Sequence, residues 1–334
     1  MLKIAVVILN WNGEKLLEQF LPSVTQYSNN ATIYVADNAS TDNSIHFIKE
    51  NYPTVKIIKN TVNGGYAKGY NDALQHIDAE IYCLLNSDVE VTKNWLNPIE
   101  NTFSEFPDIS IIQPKILDLK QKDYFEYAGA AGGYIDQLGY PFCRGRIFQA
   151  LEKDTGQYND IQEIFWATGA CMFIKSTVFK ELNGFDEDYF AHQEEVDLCW
   201  RAKNQGHKVF YVGTSEIYHL GGSTLTNMNP KKTYLNFRNS LYSITKNLPR
   251  KKAFCIIFVR LLLDGVAGLR FIFQLKFNHC FAILRAHFSF YKNFSKVYKK
   301  REKTKYIRKY YTVKSIVWSH FVYHIRKFNI LVKD

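Results

Sequence analysis

An oxygen-rich tip directly follows an apolar run at residues 83–85, in Asn86-Ser87-Asp88. Residues two apart on an extended tip face the same side, so a buried strand would bring Asn86 and Asp88 to one side of a sheet edge. Mg²⁺ and Mn²⁺ prefer oxygen ligands, usually one or two carboxylates together with substrate phosphates. Asp88 is therefore a candidate metal carboxylate with Asn86 as a neutral neighbour, although the same tripeptide is also typical of a plain turn.

Further polar tips follow other apolar runs, and each has a chemical and a structural interpretation. Asp37 could accept hydrogen bonds from the N3–H or the ribose hydroxyls of a uracil- or thymine-type nucleotide, or close a strand as a turn residue. Asn10 and Asn12 could flank such a base or cap the first helix. Thr41 or Asp42 could cap the second helix.

The elements that carry these tips alternate between strands and helices. Strands are predicted at residues 3–9, 32–36, 55–58 and 81–85, with helical spacing of apolar residues after the first strand and a helix after the third. Short connections in this pattern predict a right-handed doubly wound α/β sheet flanked by helices. Ligands of such sheets lie at the carboxyl ends of the strands, so the polar tips are expected to meet at one edge.

A glycine pair opens the third tip, in Asn63-Gly64-Gly65-Tyr66-Ala67-Lys68-Gly69. Glycine permits close approach of the backbone, and a helix N-terminus offers free N–H groups to an anion such as a diphosphate. The spacing does not fit the dinucleotide fingerprint G-x-G-x-x-G, and the pair follows the third strand rather than the first. A diphosphate site is therefore favoured over a dinucleotide fold.

The net charge of +10 is unevenly distributed along the 334 residues. Residues 1–230 carry a net charge of −11, and residues 231–334 carry +21, with 24 Lys and Arg against 3 Asp and Glu. The six cysteines are scattered without metal or disulfide spacing, and no signal-peptide pattern opens the chain. A reducing cytoplasm is the simplest expected compartment.

Taken together, Val-Ile-Leu-Asn10-Trp-Asn12, the 37–42 and 63–71 segments and Leu-Leu-Asn86-Ser-Asp88 resemble the inverting family 2 glycosyltransferases of GT-A fold, closest to the rhamnosyltransferase-like branch. The resemblance covers about residues 1–245 and implies a mixed sheet, a nucleotide-diphosphate sugar donor and a divalent metal, Mg²⁺ or Mn²⁺. Asn86 departs from the D-x-D form, which leaves Asp88 as the main metal carboxylate. The donor-binding residues that it implies are Asn10, Asn12, Asp37, Asn38, Asp42, Gly65, Lys68, Asn71 and Asn86.

A cluster of acids begins a predicted helix at Glu194-Glu195-Val196-Asp197. Acids are common in the first turn of a helix, and Asp197 can pair with Arg201 four residues on. In the resemblance this stretch matches the Glu-Asp-x-Asp motif that carries the catalytic base. Glu195 is then expected as the base, Glu194 as its rival, and Asp197 as mainly structural.

His219 ends an apolar strand before a Gly-Gly turn. A lone histidine there is commonly a loop residue. In the resembled family a histidine at this point joins the metal or contacts the diphosphate, and residues 221–224 would form a flexible flap. His219 is therefore a second candidate metal ligand.

The C-terminal residues 246–334 form a separate basic, aromatic region. Residues 253–273 are densely apolar, but Arg260, Asp264 and Arg270 would each cost about 2.5–3.5 kcal/mol at the centre of a spanning helix, so no transmembrane segment is predicted. An interfacial helix on an anionic membrane surface fits better. The alternative is that the helices pack on the catalytic body or on a second copy; apolar runs such as 256–259 argue against nucleic acid.

These observations predict a cytoplasmic enzyme, peripheral at the inner face of the cell membrane, that moves a sugar from a UDP or dTDP donor, dTDP-rhamnose among them, to a glycan or lipid-linked acceptor. A non-catalytic scaffold of the same fold is the main alternative. A sugar nucleotidyltransferase would need a Gly-rich loop with Arg and Lys after the first strand, where the chain has Asn10-Trp11-Asn12-Gly13.

Overall fold

The computed structural model of the chain describes residues 2–221, 229–301 and 306–332. In its first part strands and helices alternate, as the sequence predicts. Strand β1 is buried along almost its whole length, which is typical of a strand covered on both faces in a parallel sheet. The elements are β1 (Ile4–Asn10), α1 (Glu14–Tyr27), β2 (Ala31–Asp37), α2 (Ser44–Asn51), β3 (Lys56–Lys59), α3 (Gly65–Leu74) and β4 (Ile81–Asn86).

The second part contains shorter strands, three helices and a 3₁₀ turn at Glu187–Tyr189, and it is followed by a run of helices. Its elements are β5 (Val89–Val91), α4 (Asn97–Glu105), β6 (Ile109–Asp118), β7 (Gly133–Ile135), β8 (Pro141–Cys143), β9 (Arg146–Ile147), β10 (Ala150–Leu151), β11 (Ile161–Glu163), β12 (Cys171–Lys175), α5 (Ser176–Glu181), α6 (Glu194–Asn204) and β13 (Lys208–His219). The helices that follow are α7 (Pro230–Asn247), α8 (Arg250–Phe273), α9 (Phe277–Lys299), α10 (Ile316–Phe321) and α11 (Phe328–Leu331).

Within the described part of the chain one nine-stranded mixed sheet forms the centre, in the order β11-β13-β6-β12-β4-β1-β2-β3, with β5 pairing on β13. Strands β4, β1, β2 and β3 are parallel, whereas β12 runs antiparallel between β4 and β6. In register, Asn10 lies opposite Asp37, and Leu9 lies opposite Asn86. The predicted α/β class, a mixed sheet flanked by helices, is confirmed, and the strand ends meet at one edge.

Two local expectations differ from the structure. The sequence suggested separate strands before and at His219, but β13 is continuous over twelve residues. Its pairing with β6 shifts register between Val212 and Glu216, so a bulge rather than a break joins the two predicted strands. The irregular hairpins predicted at 127–148 form most of a separate four-stranded antiparallel sheet, β10-β9-β8-β7.

Helices α8 and α9 of the C-terminal region pack on α7, and the domain boundary predicted at 245/246 falls two residues before the end of that helix. Arg301 anchors the end of α9 by donating to the carbonyls of Thr245 and Leu248. Among the described residues no helix combines the length and apolarity needed to cross a bilayer. The flap expected at 221–224 lies, beyond Gly221, outside the described residues.

Candidate active site

The tips of β1 and β2 are tied to each other by side-chain hydrogen bonds. Asn10 Nδ2 donates to Asp37 Oδ1 (3.3 Å) and to Ser40 Oγ (3.2 Å). Asn12 Oδ1 accepts from the Thr41 N–H at 2.7 Å. Neither asparagine caps α1, so the capping interpretation is wrong. The first N–H of that helix, at Glu14, instead donates to Asp42 Oδ2 at 3.0 Å, because Asp42 lies between the starts of α1 and α2.

The buried carbonyl oxygen of the Asn10 side chain has no hydrogen-bond partner, and it lies beside the carboxylate of Asp37. Asp37 is also buried, and its Oδ2 accepts from the Ser40 N–H at 3.1 Å. A carboxylate has about four lone-pair sites, so Asp37 keeps acceptor capacity after these two bonds. An unpaired buried acceptor beside a carboxylate fits a ligand that brings N–H or O–H donors.

Asn38 joins the tips of β2 and β3 to the start of α3. Its Nδ2 donates to Asn63 Oδ1 at 2.9 Å and to the Gly65 carbonyl at 3.2 Å, and its Oδ1 accepts from Asn60 at 3.2 Å. Gly65 has φ +79°, and a Cβ there would lie 2.4 Å from the Phe190 carbonyl oxygen. Only glycine fits this close crossing, which brings the 186–195 segment against the N-terminus of α3.

Two predicted donor-binding residues are turned to other partners. Lys68 pairs with Asp72 at 2.9 Å and approaches Glu187 at 3.9 Å. Asn71 uses both ends of its amide on the backbone of Phe185, at 2.9 Å each. Asn71 thus holds the turn that precedes the acidic cluster, and the structure does not bring these two side chains into the group around Asp37.

Asp88 forms a buried cluster with His219 and Glu126. The Asp88 Oδ1 atom lies 3.1 Å from His219 Nε2, and Glu126 Oε2 lies 3.1 Å from His219 Nδ1. Backbone pairing of β5 with β13 and the bond from the Leu220 N–H to the Asp88 carbonyl (3.0 Å) fix this arrangement. Burial alone would lower the pKa of His219, but its bonds to Asp88 and Glu126 raise that pKa to about 10.

Asp88 and His219 fit a divalent cation that takes the place of the proton on His219, because a histidine binds a metal only in its neutral form. Two ligands on neighbouring corners of an octahedral site with bonds of about 2.1 Å lie about 3 Å apart, close to the observed separation of Asp88 Oδ1 and His219 Nε2. Nowhere in residues 2–221, 229–301 and 306–332 do three or more His, Cys, Asp or Glu side chains form a group that could hold a metal by themselves. The remaining ligands would come from the phosphates of a substrate and from water.

Glu126 was not identified from the sequence. It lies between β6 and β7, and its Oε2 also accepts from the Ala128 N–H, which directs it to the histidine. Gly221, with φ +64°, passes so close that a Cβ would lie 2.7 Å from Glu126 Oε1. The local sequence has no periodic pattern that indicates this contact, because His219 is 93 residues away along the chain.

The start of α6 follows a strained loop. Phe190, His192 and Gln193 all have positive φ, of 65°, 67° and 71°, a conformation that non-glycine residues rarely adopt. Buried Asn239 of α7 holds this loop by donating to the carbonyls of Tyr189, Ala191 and His192 at 2.7–3.1 Å. Strain of this kind persists where the surroundings enforce it, commonly at functional sites.

Glu194 and Glu195 follow this loop and occupy the first turn of α6, as predicted. In each, the buried Oε2 atom has no hydrogen-bond partner. Burial raises the pKa of Glu195 to about 7, and burial together with the Glu195 charge raises the pKa of Glu194 well above its usual value. A carboxylate that titrates near neutral pH without a partner is poised to take up a proton.

Two further residues, Cys143 and His192, bear on the surroundings of Glu195. Burial raises the pKa of the Cys143 thiol, Arg146 opposes that rise, and the charges of Glu126 and Glu195 add to it. Both carboxylates therefore lie near the same thiol. His192, also missed from the sequence, has an unpaired Nε2, and burial with the nearby Lys232 lowers its pKa to about 4. The strained loop thus holds a neutral imidazole two residues before Glu194 along the chain.

Asp197, in the same first turn of α6, has a donor partner for each carboxylate oxygen. Its carboxylate accepts from Arg201 (2.9 Å), Lys246 (2.8 Å) and Asn247 (2.8 Å), which joins α6 to α7. Burial alone would raise the pKa of Asp197, but Lys246 and Arg201 lower it below its ordinary value. This carboxylate acts as a structural link.

A family model described as glycosyl transferase family 2 matches residues 5–182. The N-acetylglucosaminyl-diphospho-decaprenol L-rhamnosyltransferase of Mycobacterium tuberculosis is 25% identical over 233 residues, which cover 64% of this chain and 75% of that protein.

Solved structures of similar fold include GalNAc-T7 with UDP, GalNAc and Mn²⁺, at a TM-score of 0.58 and 19% identity over 74% of this chain. This chain spans only 48% of the GalNAc-T7 chain. The mannosyltransferase PcManGT from Pyrobaculum calidifontis, with GDP-Man and Mn²⁺, matches at a TM-score of 0.53 and 11% identity over 87% of each chain. This likeness in fold confirms the expected GT-A architecture.

Proposed function

The chain belongs to glycosyl transferase family 2 and is a glycosyltransferase, and from that premise we propose that it transfers a sugar, with inversion, from a UDP or dTDP donor to a lipid-linked or glycan acceptor. L-Rhamnose carried on dTDP is the donor sugar we favour, because the mycobacterial relative is named as a rhamnosyltransferase. The single observation that carries the proposal is the buried pair Asp88 and His219, whose Oδ1 and Nε2 atoms lie 3.1 Å apart, in a chain where Glu194 and Glu195 each keep a buried Oε2 atom without a hydrogen-bond partner.

The edge formed by β1 and β2 would bind the nucleotide. Asp37 and the unpaired oxygen of Asn10 would accept the N–H of the base or the ribose hydroxyls. The start of α3 does not offer the free N–H groups that the sequence suggested for a diphosphate, because Gly65 N–H donates to Asn63 Oδ1 (3.0 Å) and the N–H groups of Tyr66 and Ala67 donate to the Phe190 carbonyl (2.8 and 3.4 Å). Three hydrogen bonds would fix the conformation of this edge. Asn12 binds Thr41, Asn38 binds Asn63, and Asp42 binds the first N–H of α1.

Asp88 and His219 would hold Mg²⁺ or Mn²⁺, which neutralises the charge of a departing diphosphate when it is bound. Glu126 would fix the ring of His219 by accepting its Nδ1–H, so that Nε2 faces the same side as Asp88. Asn86, at the end of β4, would flank this position as a neutral neighbour.

Glu195 would act as the base that removes the proton of the acceptor hydroxyl. Its pKa of about 7 leaves a substantial ionised fraction at neutral pH while keeping the carboxylate basic enough to accept a proton. Glu194 is the rival for this role. We favour Glu195 because it stands where the resembled motif has its catalytic Asp, and the action of the Glu195 and Glu126 charges on the same Cys143 thiol supports this choice.

The proposed place of reaction is the cytoplasmic face of the cell membrane. The name of the mycobacterial relative specifies a lipid-linked acceptor, and the region after residue 230 is strongly basic. The alternative, a non-catalytic protein of the same fold, would need neither a metal nor unpaired acids.

Calorimetry of the full chain with UDP and dTDP, with and without Mn²⁺, tests the proposal, together with a screen of nucleotide sugars for transfer or hydrolysis. We expect metal-dependent nucleotide binding that Asp88→Asn weakens by at least about 100-fold, since one charged metal ligand is lost. Asp78→Asn is the matched control, because Asp78 is exposed and pairs only with Lys3 among the described residues. Equal nucleotide binding with and without metal, and no turnover of any donor, would favour the scaffold.

A further inference from the structure

Helix α8 has an inverted distribution of polarity. Its two interior charges, Arg260 and Asp264, are 2% and 0% exposed. The large side chains on its outer face are apolar and strongly exposed, up to 65% at Phe258 and 85% at Phe273. A helix on a protein surface in water normally shows the opposite arrangement.

The two buried charges have partners in the body of the protein and in α9. The Arg260 guanidinium lies 3.6 Å from the centre of the Tyr140 ring and donates to the Leu138 carbonyl at 3.2 Å. Asp264 accepts from the Tyr140 hydroxyl at 3.3 Å and lies 3.1 Å from His287 Nε2 of α9. The polar groups of α8 therefore orient the helix, with its charges inward and its apolar face outward.

The outward face is a continuous stripe at helical spacing. On α8 it consists of Phe254, Phe258, Leu262, Val266, Leu269 and Phe273. Helix α9 packs antiparallel to α8, since Phe254 contacts Phe294 and Phe271 stacks on His279. Its exposed apolar residues extend the surface from the turn between the helices, and they are Phe277, Phe281, Leu284, Phe288 and Tyr291. We name these eleven residues the outer face of the α8–α9 hairpin.

The exposed charged residues around the outer face of the α8–α9 hairpin are cationic. Exposed Arg270, Arg285 and Lys292 lie among its residues on the two helices. Among the described residues from 229 onward Asp264 is the only carboxylate side chain, and it is buried. Monomeric soluble proteins rarely expose an apolar patch of this extent, and an apolar face with a cationic border matches the interface of an anionic bilayer.

We propose that the outer face of the α8–α9 hairpin inserts, parallel to the membrane plane, into the interfacial layer of an anionic bilayer. Phe258, Leu262 and Phe273 enter the acyl boundary, and the bordering Arg and Lys contact lipid phosphates. This inference builds on the proposed lipid-linked acceptor, because it brings the GT-A body to the surface where such an acceptor lies. We propose lipid as the partner of this face rather than a second copy of the chain. A dimer through the outer face would bring the cationic residues of two copies together.

Co-flotation of the full chain with vesicles tests the inference. Vesicles of phosphatidylcholine with 30% phosphatidylglycerol should carry the wild type, and pure phosphatidylcholine should bind it at least 5-fold less. The double variant Phe258→Ser with Leu262→Ser should partition at least 10-fold less onto the anionic vesicles. The matched control is Phe106→Ser with Ile161→Ser, which removes two exposed apolar side chains from the body and should bind like the wild type.

A probe on the outer side of α8 gives a second readout. Cys255 is exposed next to Phe254, so a bimane label there should shift to shorter wavelength when anionic vesicles are added. Unchanged flotation of the double variant would overturn the inference. So would a lipid-free dimer that the same variant splits into monomers while vesicle binding persists, because the face would then be a contact between copies.

The failure of this inference is distinguishable from the failure of the proposed function. Transfer from the nucleotide sugar to a short soluble acceptor should be the same for the double variant as for the wild type, because these side chains lie on α8, which contributes no residue to the candidate site. Loss of flotation with retained transfer supports the membrane surface. Retained flotation without any transfer by the wild type would contradict only the proposed function.

Discussion

Two sets of carboxylates stand within four residues at the start of α6, and they have opposite environments. Glu194 is buried and Glu195 is partly buried; in each the buried Oε2 atom has no hydrogen-bond partner, and burial raises the pKa. Asp197 is fully buried, but three donors bind it, and its pKa is lowered. Burial alone therefore does not separate a structural acid from a functional one. The number of fixed donors around the carboxylate does.

The same contrast has an energetic meaning. A buried carboxylate with cationic partners contributes stability at neutral pH, which is lost when pH falls through its folded pKa. A carboxylate whose folded pKa is raised lowers stability as pH rises. Between its unfolded and folded pKa values the folded state binds more protons than the unfolded state, so raising the pH in this window favours unfolding. The fold tolerates Glu194 and Glu195 at a cost in stability, as is common for functional groups.

The largest expected effect is on turnover. Glu195→Gln should lower kcat by about 10³-fold, since general-base catalysis is typically worth 10²- to 10⁴-fold. Its stability at pH 8 should be unchanged or higher, because the amide removes a charge from a carboxylate whose buried Oε2 atom has no hydrogen-bond partner. Steady-state transfer kinetics and urea unfolding of the same preparation measure both quantities.

The pH profile and the neighbouring acid sharpen this test. For the wild type kcat/KM should fall about tenfold per pH unit below a pKa of about 7, because only the ionised Glu195 accepts a proton, and the profile of Glu195→Gln should lack this limb. Glu194→Gln should cost much less than Glu195→Gln. A larger loss in Glu194→Gln would reverse the two roles.

The second effect is on stability. Asp197→Asn should lower the free energy of unfolding by about 3 kcal/mol at pH 8, because Arg201 and Lys246 lose the buried anion that they share, although Lys246 keeps its pair with Asp186. The activity of the folded fraction should be close to that of the wild type. The urea midpoint, and activity normalised to folded protein, measure the two.

Asp72→Asn is the matched control, since Asp72 pairs with Lys68 at the same helical spacing as Asp197 with Arg201 but is partly exposed. An exposed pair of this kind is worth less than about 1 kcal/mol. If Asp197→Asn instead left stability intact and abolished transfer, the division between structural and functional acids at the start of α6 would be wrong.

The sequence predicts well those features that depend on local pattern. The strand and helix alternation, the acids in the first turn of α6 and the i to i+4 pair of Asp197 and Arg201 all follow from spacing within one element. The convergence of Asn10, Asn12, Asp37 and Asp42 at one edge follows from the parallel order of the strands. The assigned roles of these residues remain predictions.

Features that depend on contacts between distant segments were not predictable. Asn239, in α7, reaches the loop before α6 across nearly fifty residues, and nothing in its own neighbourhood marks it. The inward direction of Arg260 and Asp264 requires Tyr140 as a partner, so the sequence indicated interrupted hydrophobicity but not which side of α8 faces outward. The role of Glu126 likewise depends on a distant segment, because its partner His219 is 93 residues away along the chain.

Glu126 provides the smallest expected effect and a third kind of buried acid, one that has a partner but acts through it. Glu126→Gln should weaken Mn²⁺ binding by about 10- to 100-fold, because the amide no longer accepts strongly from His219 Nδ1–H and the ring is free to turn. Unlike Asp197→Asn, it should change the urea midpoint little, and unlike Glu195→Gln, it should be rescued by raising the Mn²⁺ concentration.

Glu126→Asp, which keeps the charge, is the matched variant and should recover part of the affinity. Titration of Mn²⁺ by electron paramagnetic resonance, without any donor sugar, reports the affinity directly. Wild-type Mn²⁺ affinity in Glu126→Gln would mean that Asp88 alone positions His219 and that Glu126 is structural, like Asp197.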